Sequence, residues 1–133
     1  MIPLTNNSLQ MIESPLPCMY KQILHLPAIS IVHQIDTRQI IRIQSMSNYS
    51  KLFFSNGKTL VVAKLLRWFE QRLPACDFIR IHRTHLVNRD YIEEYSFADR
   101  KEVALKNGEK IGIAKRRKTE FVKHINSFTK SGN

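Results

Sequence analysis

Short runs of β-branched and aromatic residues recur along the first half of the chain, set apart by polar turns. Ala28–His33 (AISIVH) is followed, after a turn through Asp36–Arg38, by Ile40–Gln44 (IIRIQ), Lys51–Ser55 (KLFFS) and Lys58–Val62. Runs of this length and composition predict strands. Asn56-Gly57 lies between the last two and signals a hairpin, because glycine accepts the left-handed backbone of a tight turn. Ser45–Ser50 (SMSNYS) predicts a polar loop between the second and third strands. The period then changes. Val62, Leu65, Leu66, Phe69 and Leu73 recur at three- and four-residue spacing, which predicts an amphipathic helix over Ala63–Leu73. Pro74 stops it, and Trp68, on the flank of the stripe, reads as a packing residue.

Strand patterning resumes at Phe78–His82, Ile92–Phe97, Glu102–Lys106 and Glu109–Ile113, with a helical turn expected over 86–91 and a second hairpin at Asn107-Gly108. Lys115–Phe128 predicts a second amphipathic helix that turns Phe121, Val122, Ile125 and Phe128 inward. The pattern therefore predicts a mainly β domain with two or three short helices. No βαβ alternation supports a parallel sheet. Pro3, Pro15 and Pro17, with Asn, Ser and Thr between them, make residues 1–25 a tail, short helix or linker. The domain is expected over 26–128, with a tail at 129–133.

Composition sharpens this picture in two places. At 133 residues and 43% hydrophobic, the chain has the size and apolar content of one domain. No apolar run approaches the roughly 20 residues of a membrane helix, and the N-terminus lacks a secretory pattern, so a cytoplasmic protein is expected. The net charge is +10, and it is unevenly placed. Residues 1–37 hold only Lys21 against Glu13 and Asp36; of the 21 bases and 11 acids, 20 bases and 9 acids lie beyond. A folded part this basic points to an anionic partner, most often nucleic acid. Cys18 and Cys76, the only cysteines, do not amount to a disulfide framework, and Cys76 reads as a small turn residue.

Three clusters carry candidate chemistry. The loop residues Asn48, Tyr49, Ser50 and Lys51 can donate to bases and phosphates. In FIRIHRTHLVNRDYI, residues 78–92, a strand runs straight into His82, Arg83, Thr84, His85, Asn88 and Arg89. Arg83 offers a planar fork suited to a guanine edge or a phosphate. Asn88 reads either as the cap of the following turn or as an adenine reader, with capping favoured. His82, His85 and Asp90 are too few for a metal centre. Third, Lys115, Arg116, Arg117 and Lys118 stand at the expected start of the last helix, where the helix dipole disfavours cations. A phosphate docked there would reverse that cost.

The stretches FIRIHRTHLVNRDYIEEY and VALKNGEKIGIAKRRKTEF resemble the LytTR family of bacterial DNA-binding domains over roughly residues 26–126. The specific element is HRTHLVN. The resemblance implies an elongated, β-rich domain that binds double-stranded DNA through loops entering successive major grooves, in transcription regulation. Carried over by position, it implies contacts near Tyr49–Lys51, at Arg83, and at Lys115 with Arg116 beside it. Joined to the three clusters, this leads us to expect base contacts from Asn48, Tyr49, Ser50, Arg83 and Lys115, and phosphate contacts from Lys51, His85, Arg116, Arg117 and Lys118. Ala114 departs from the serine that the family often places before the basic pair, and Lys115 cannot make a bidentate arginine contact. Many members carry a receiver domain, for which residues 1–25 are too short. Signal input is then expected from a partner, from expression level or from a region outside this chain. Tandem DNA sites and a homodimer on DNA or a signalling partner complete the expectation, with no catalytic, metal or cofactor role.

Three rivals share some of these features. An RNA-binding β-rich module would need exposed aromatics on a sheet face, for which Phe53 and Phe54 are the candidates. A nuclease on His82, His85 and Asp90 lacks an acidic cluster for Mg²⁺. A protein-interaction module that has lost DNA readout is left open by Ala114.

Overall fold

A computed structural model describes residues 23–27, 32–97 and 101–132. Among the described residues, three antiparallel sheets make up the β-rich part. The first pairs β1 (Ile23–Pro27) with β2 (Val32–Asp36). The central sheet holds β3 (Ile40–Met46), β4 (Tyr49–Phe54), β5 (Thr59–Val62), β6 (Phe78–His82) and β7 (His85–Asn88), in the order β5-β4-β3-β7-β6. The third holds β8 (Ile92–Ser96), β9 (Glu102–Leu105) and β10 (Lys110–Gly112), in the order β10-β9-β8. Helix α1 (Leu66–Arg72) follows β5, and α2 (Lys118–Gly132) closes the chain.

The central sheet is apolar on both faces, and the sequence of its strands says why. In β3 the adjacent Ile40 and Ile41 belong to different cores, and so do Phe78 and Ile79 of β6 and Leu86 and Val87 of β7. Successive side chains alternate across a strand, so an unbroken apolar run marks a strand buried twice. One face packs Leu24 and Leu26 of β1 and Leu66, Phe69 and Leu73 around α1. The other packs Val103, Leu105 and Ile111 of the small sheet and Phe121 of α2. Arg42 fastens the two sheets. Its guanidinium gives Glu109 two bonds of 3.0 and 2.9 Å and Gln44 a third of 2.9 Å, and its side chain is 8% exposed.

Both Asn-Gly turns form as expected, with φ of +88° at Gly57 and +93° at Gly108. Asn88 is the cap: its side chain accepts from Asp90 N at 3.0 Å and donates to Ile40 O at 2.8 Å. Several expectations need correction. Strand β1 starts at Ile23, ahead of the boundary placed at 26, with Leu24 and Leu26 buried. The strand expected at 28–33 begins at Val32; residues 28–31, the tail at 1–22 and the Phe128 side chain lie outside the described residues. Residues 45–50 do not form a six-residue loop, because β3 and β4 run on until only Ser47 and Asn48 turn. The turn over 86–91 is a strand to Asn88 and then a short 3₁₀ turn, Arg89–Tyr91. Leu65 precedes α1 and is 51% exposed instead of joining the stripe. Cys76 does lie in a turn, but it is disulfide-bonded; Cys18 lies outside the described residues.

Candidate nucleic-acid interface

Antiparallel order brings four chain ends to one end of the central sheet: the end of β3, the start of β4, the end of β6 and the start of β7. Two tight turns therefore project side by side. Ser47 and Asn48 form the first, both exposed, with Ser47 at φ +58°. Arg83 and Thr84 form the second, and Arg83 is exposed. Backbone bonds join these turns and bring in a third segment. Ser45 N donates to Thr84 O at 2.9 Å, and Ala114 N donates to Ile81 O at 2.8 Å. The second bond carries Lys115–Arg117 to the outer side of β6.

The second turn is heavily braced. The Arg80 guanidinium donates to His82 O at 2.8 Å and to Arg83 O at 2.6 Å, and it is anchored by the Glu70 carboxylate of α1. The Thr84 hydroxyl lies 2.8 Å from His82 Nδ1 and 3.0 Å from His85 Nδ1. Arg89 is buried and pairs with Asp77 at 3.6 Å. The run of donors after the apolar strand thus divides. Most of them shape the turn, and Arg83 is left to face solvent.

Tyr49 is 50% exposed, and Asn48, Lys115, Arg116 and Lys118 are exposed, while Lys51 and Arg117 are partly covered. Lys51 Nζ lies 5.3 Å from the Phe53 ring centroid, and Lys118 Nζ lies 5.0 Å from that of Phe97. Two expected contacts fit less well. Ser50 is fully buried, and its hydroxyl donates to Lys64 O at 2.6 Å, so it cannot reach a base. His85 is partly buried in β7, and its pKa is lowered to about 4, by burial first and then by Arg42 and His82. It is neutral near pH 7 and lacks the charge that a phosphate contact was expected to use. The α-helix also begins at Lys118, after a 3₁₀ turn over Lys115–Arg117. Those three cations stand ahead of the helix and feel its dipole less than was expected.

Two of the three rivals lose physical support. Arg42 lies 3.6 Å over the Phe53 ring and Phe54 packs against the core, so neither is an open stacking platform. Asp90 stands past the far end of β7 from His85, roughly 10 Å away by strand rise, so it cannot share a metal with the histidines. Lys64 and Arg67 border the same edge and were missed, because in the sequence they look like any polar positions of a helix.

Comparison with known proteins agrees with this fold. The family model of the LytTr DNA-binding domain matches residues 30–126. The sensory transduction protein LytT of Bacillus subtilis (strain 168) is 32% identical over 84 residues, which are 61% of this chain and 34% of that protein. The chain thus spans about a third of that relative's length. A solved LytTr DNA-binding domain from Bacillus cereus matches with a TM-score of 0.66 over 79% of this chain and 97% of that one, at 20% identity. That likeness establishes the fold.

Proposed function

The chain belongs to the LytTR family of DNA-binding domains, and on that premise we propose that it recognises particular duplex sequences in transcription regulation. The edge made by residues 46–49, 83–84 and 114–118 is laid against the DNA. Asn48, Tyr49, Arg83 and Lys115 approach base edges. Lys51, Arg116, Arg117 and Lys118 hold phosphates, with His85 reduced to a neutral donor and Ser50 to a support. Phosphate contacts set affinity and register, and base contacts set sequence choice. The observation that carries this is the pair of backbone bonds, Ser45 N to Thr84 O and Ala114 N to Ile81 O, that hold the polar first tip and two cation-bearing segments at one sheet end.

Strand spacing supports a definite pose. Neighbouring strands lie about 4.8 Å apart, so the two tips, two spacings apart, are separated by about 10 Å. Residues 114–117 stand beyond β6, a further one or two spacings out. That total is short of the roughly 34 Å between major-groove openings on one face of straight DNA. The outer two segments can enter successive major grooves if long side chains reach out and the duplex bends towards the protein. Arg83, in the middle, then faces the minor groove between them, where groove width and A·T content are read.

The test is selection of bound duplexes from a random pool, followed by titration of the selected and a scrambled duplex. A repeated motif and its spacing report on tandem sites and on a homodimer. Arg83→Ala should lower the selected-to-scrambled affinity ratio by about 1–3 kcal/mol, or roughly 5- to 150-fold. No enriched motif, or an unchanged ratio in Arg83→Ala, would overturn the assignment.

A further inference from the structure

A fourth segment meets the same edge. The Ser50–Lys64 bond of 2.6 Å fastens residues 63–65, where β5 passes into α1, to the base of the first tip. Between that segment and the tip lies an open concavity of about 470 Å³, bordered by Asn48, Lys64, Leu65, Arg67, Trp68 and Gln71. Asn48 belongs both to the tip and to this concavity. Its charged members are cations, and no carboxylate lines it. Among the described residues, neither Lys64 nor Arg67 pairs with an acid. Trp68 is partly covered; its ring stands edge-on to Phe69 at 5.0 Å, with Lys64 Nζ at 5.5 Å.

We propose that the DNA surface continues from the hairpin tip onto this segment, where Lys64 and Arg67 hold backbone phosphates flanking the groove that the tip enters. Two features favour duplex DNA over an acidic protein. The concavity is continuous with the edge through Asn48, and its free charges are two separated cations suited to successive phosphates. Leu65, 51% exposed, and Trp68 offer an apolar floor that sugar faces can cover. The inference rests on the DNA-binding role of the edge, and the test keeps the two apart.

Trp68 is the chain's only tryptophan and borders this concavity, with Arg72 over its ring at 4.3 Å, so its emission reports on this part of the surface. Acrylamide quenching of the full chain is measured free and saturated with the selected duplex. Saturation should shield Trp68. Each phosphate contact contributes about 0.9 to the slope of log affinity against log salt, so Lys64→Gln with Arg67→Gln should flatten it by about two. At 0.15 M salt, that loss corresponds to roughly 30-fold weaker binding of selected and scrambled duplexes alike. Lys58→Gln, in the turn at the opposite end of β5, should change neither quantity. The proposal is overturned if a saturating duplex leaves Trp68 as accessible as before, or if the double variant keeps the slope. Shielding by an acidic protein but by no duplex would also overturn it and mark a protein-docking site. If no duplex binds at all, the failure is that of the DNA-binding role itself.

Discussion

Replacing Arg80 with lysine would remove the brace under Arg83 and keep the charge. The Arg80 guanidinium spans three acceptors at once: His82 O at 2.8 Å, Arg83 O at 2.6 Å and the Glu70 carboxylate. An ammonium is a point donor on a flexible stem and cannot hold that fork. Hydrogen bonds from a charged group are worth about 1.5–3 kcal/mol each when their partners are buried. Arg80 is 16% exposed and Glu70 33%, and water can reach the Arg83 carbonyl. A stability loss of about 2 kcal/mol is therefore expected in place of the full sum. The effect on recognition is separate. Without the brace, at least one backbone residue of the turn must be reordered on binding, at about 1–2 kcal/mol. Arg80→Lys should accordingly weaken the selected duplex about five- to thirtyfold and leave the scrambled duplex and the salt slope unchanged, since the formal charge is conserved. Anisotropy titrations over a salt series, with thermal melts beside them, separate the two quantities. A variant that loses both duplexes in equal measure, or that keeps its full ratio despite a lower melting point, refutes the positioning role. Glu70→Gln, which leaves Arg80 in place without its charged anchor, should move the ratio in the same direction by less.

Two further outcomes concern titration. His85, with its folded pKa near 4 against 6.5 unfolded, stabilises the fold fully above pH 6.5 and loses that contribution as pH falls towards 4. The full linkage would be about 3 kcal/mol, and partial solvation reduces it to about 1–2 kcal/mol. His85→Gln should flatten the decline in urea midpoint between pH 7 and 4.5; a decline as steep as in the parent would disprove the neutral, partly buried imidazole. Glu109 is held below the usual carboxylate range, chiefly by its hydrogen bonds to Arg42. Its contribution is present above about pH 4.5 and disappears as pH falls through the lowered folded pKa. Glu109→Gln should cost about 1–2 kcal/mol at pH 7, less than a fully buried pair because Glu109 is about a third exposed. The gap should narrow as pH falls below 4.5 through the lowered folded pKa, and equal denaturation midpoints at pH 7 would exclude the clamp.

What could be read from the sequence is what local chemistry decides. Strand β6 falls on Phe78–His82 as expected, the two Asn-Gly turns form, and Asn88 caps its turn, because each depends on neighbours a few residues away. The first tip was misread because Ser47 takes a left-handed backbone without a glycine to announce it. The inward turn of Ser50 had a signal in the alternation of β4, where Ser50 shares a face with the buried Leu52. The neutrality of His85 had none. It depends on burial and on Arg42, which meets it only through the pairing of β3 with β7. Lys64 likewise joins the edge only through a bond to Ser50, 14 positions away.

The tightness of the first tip changes what the edge can do. A six-residue loop would have to be ordered on each encounter, at about 1–2 kcal/mol per residue. Here all but two of those residues already belong to β3 and β4 or lie at their junction, and Ser50 and Ser45 are tied to Lys64 and Thr84. Keeping even four residues ordered beforehand avoids roughly 4–8 kcal/mol, as much as several base contacts contribute together. Discrimination by a few side chains requires that their backbones not adapt to the wrong sequence. A sheet buried on both faces supplies that stiffness without a recognition helix. The same stiffness explains why so much of HRTHLVN faces inward: most of its polar groups hold the turn still, and Arg83 is the residue of that run left exposed at its tip.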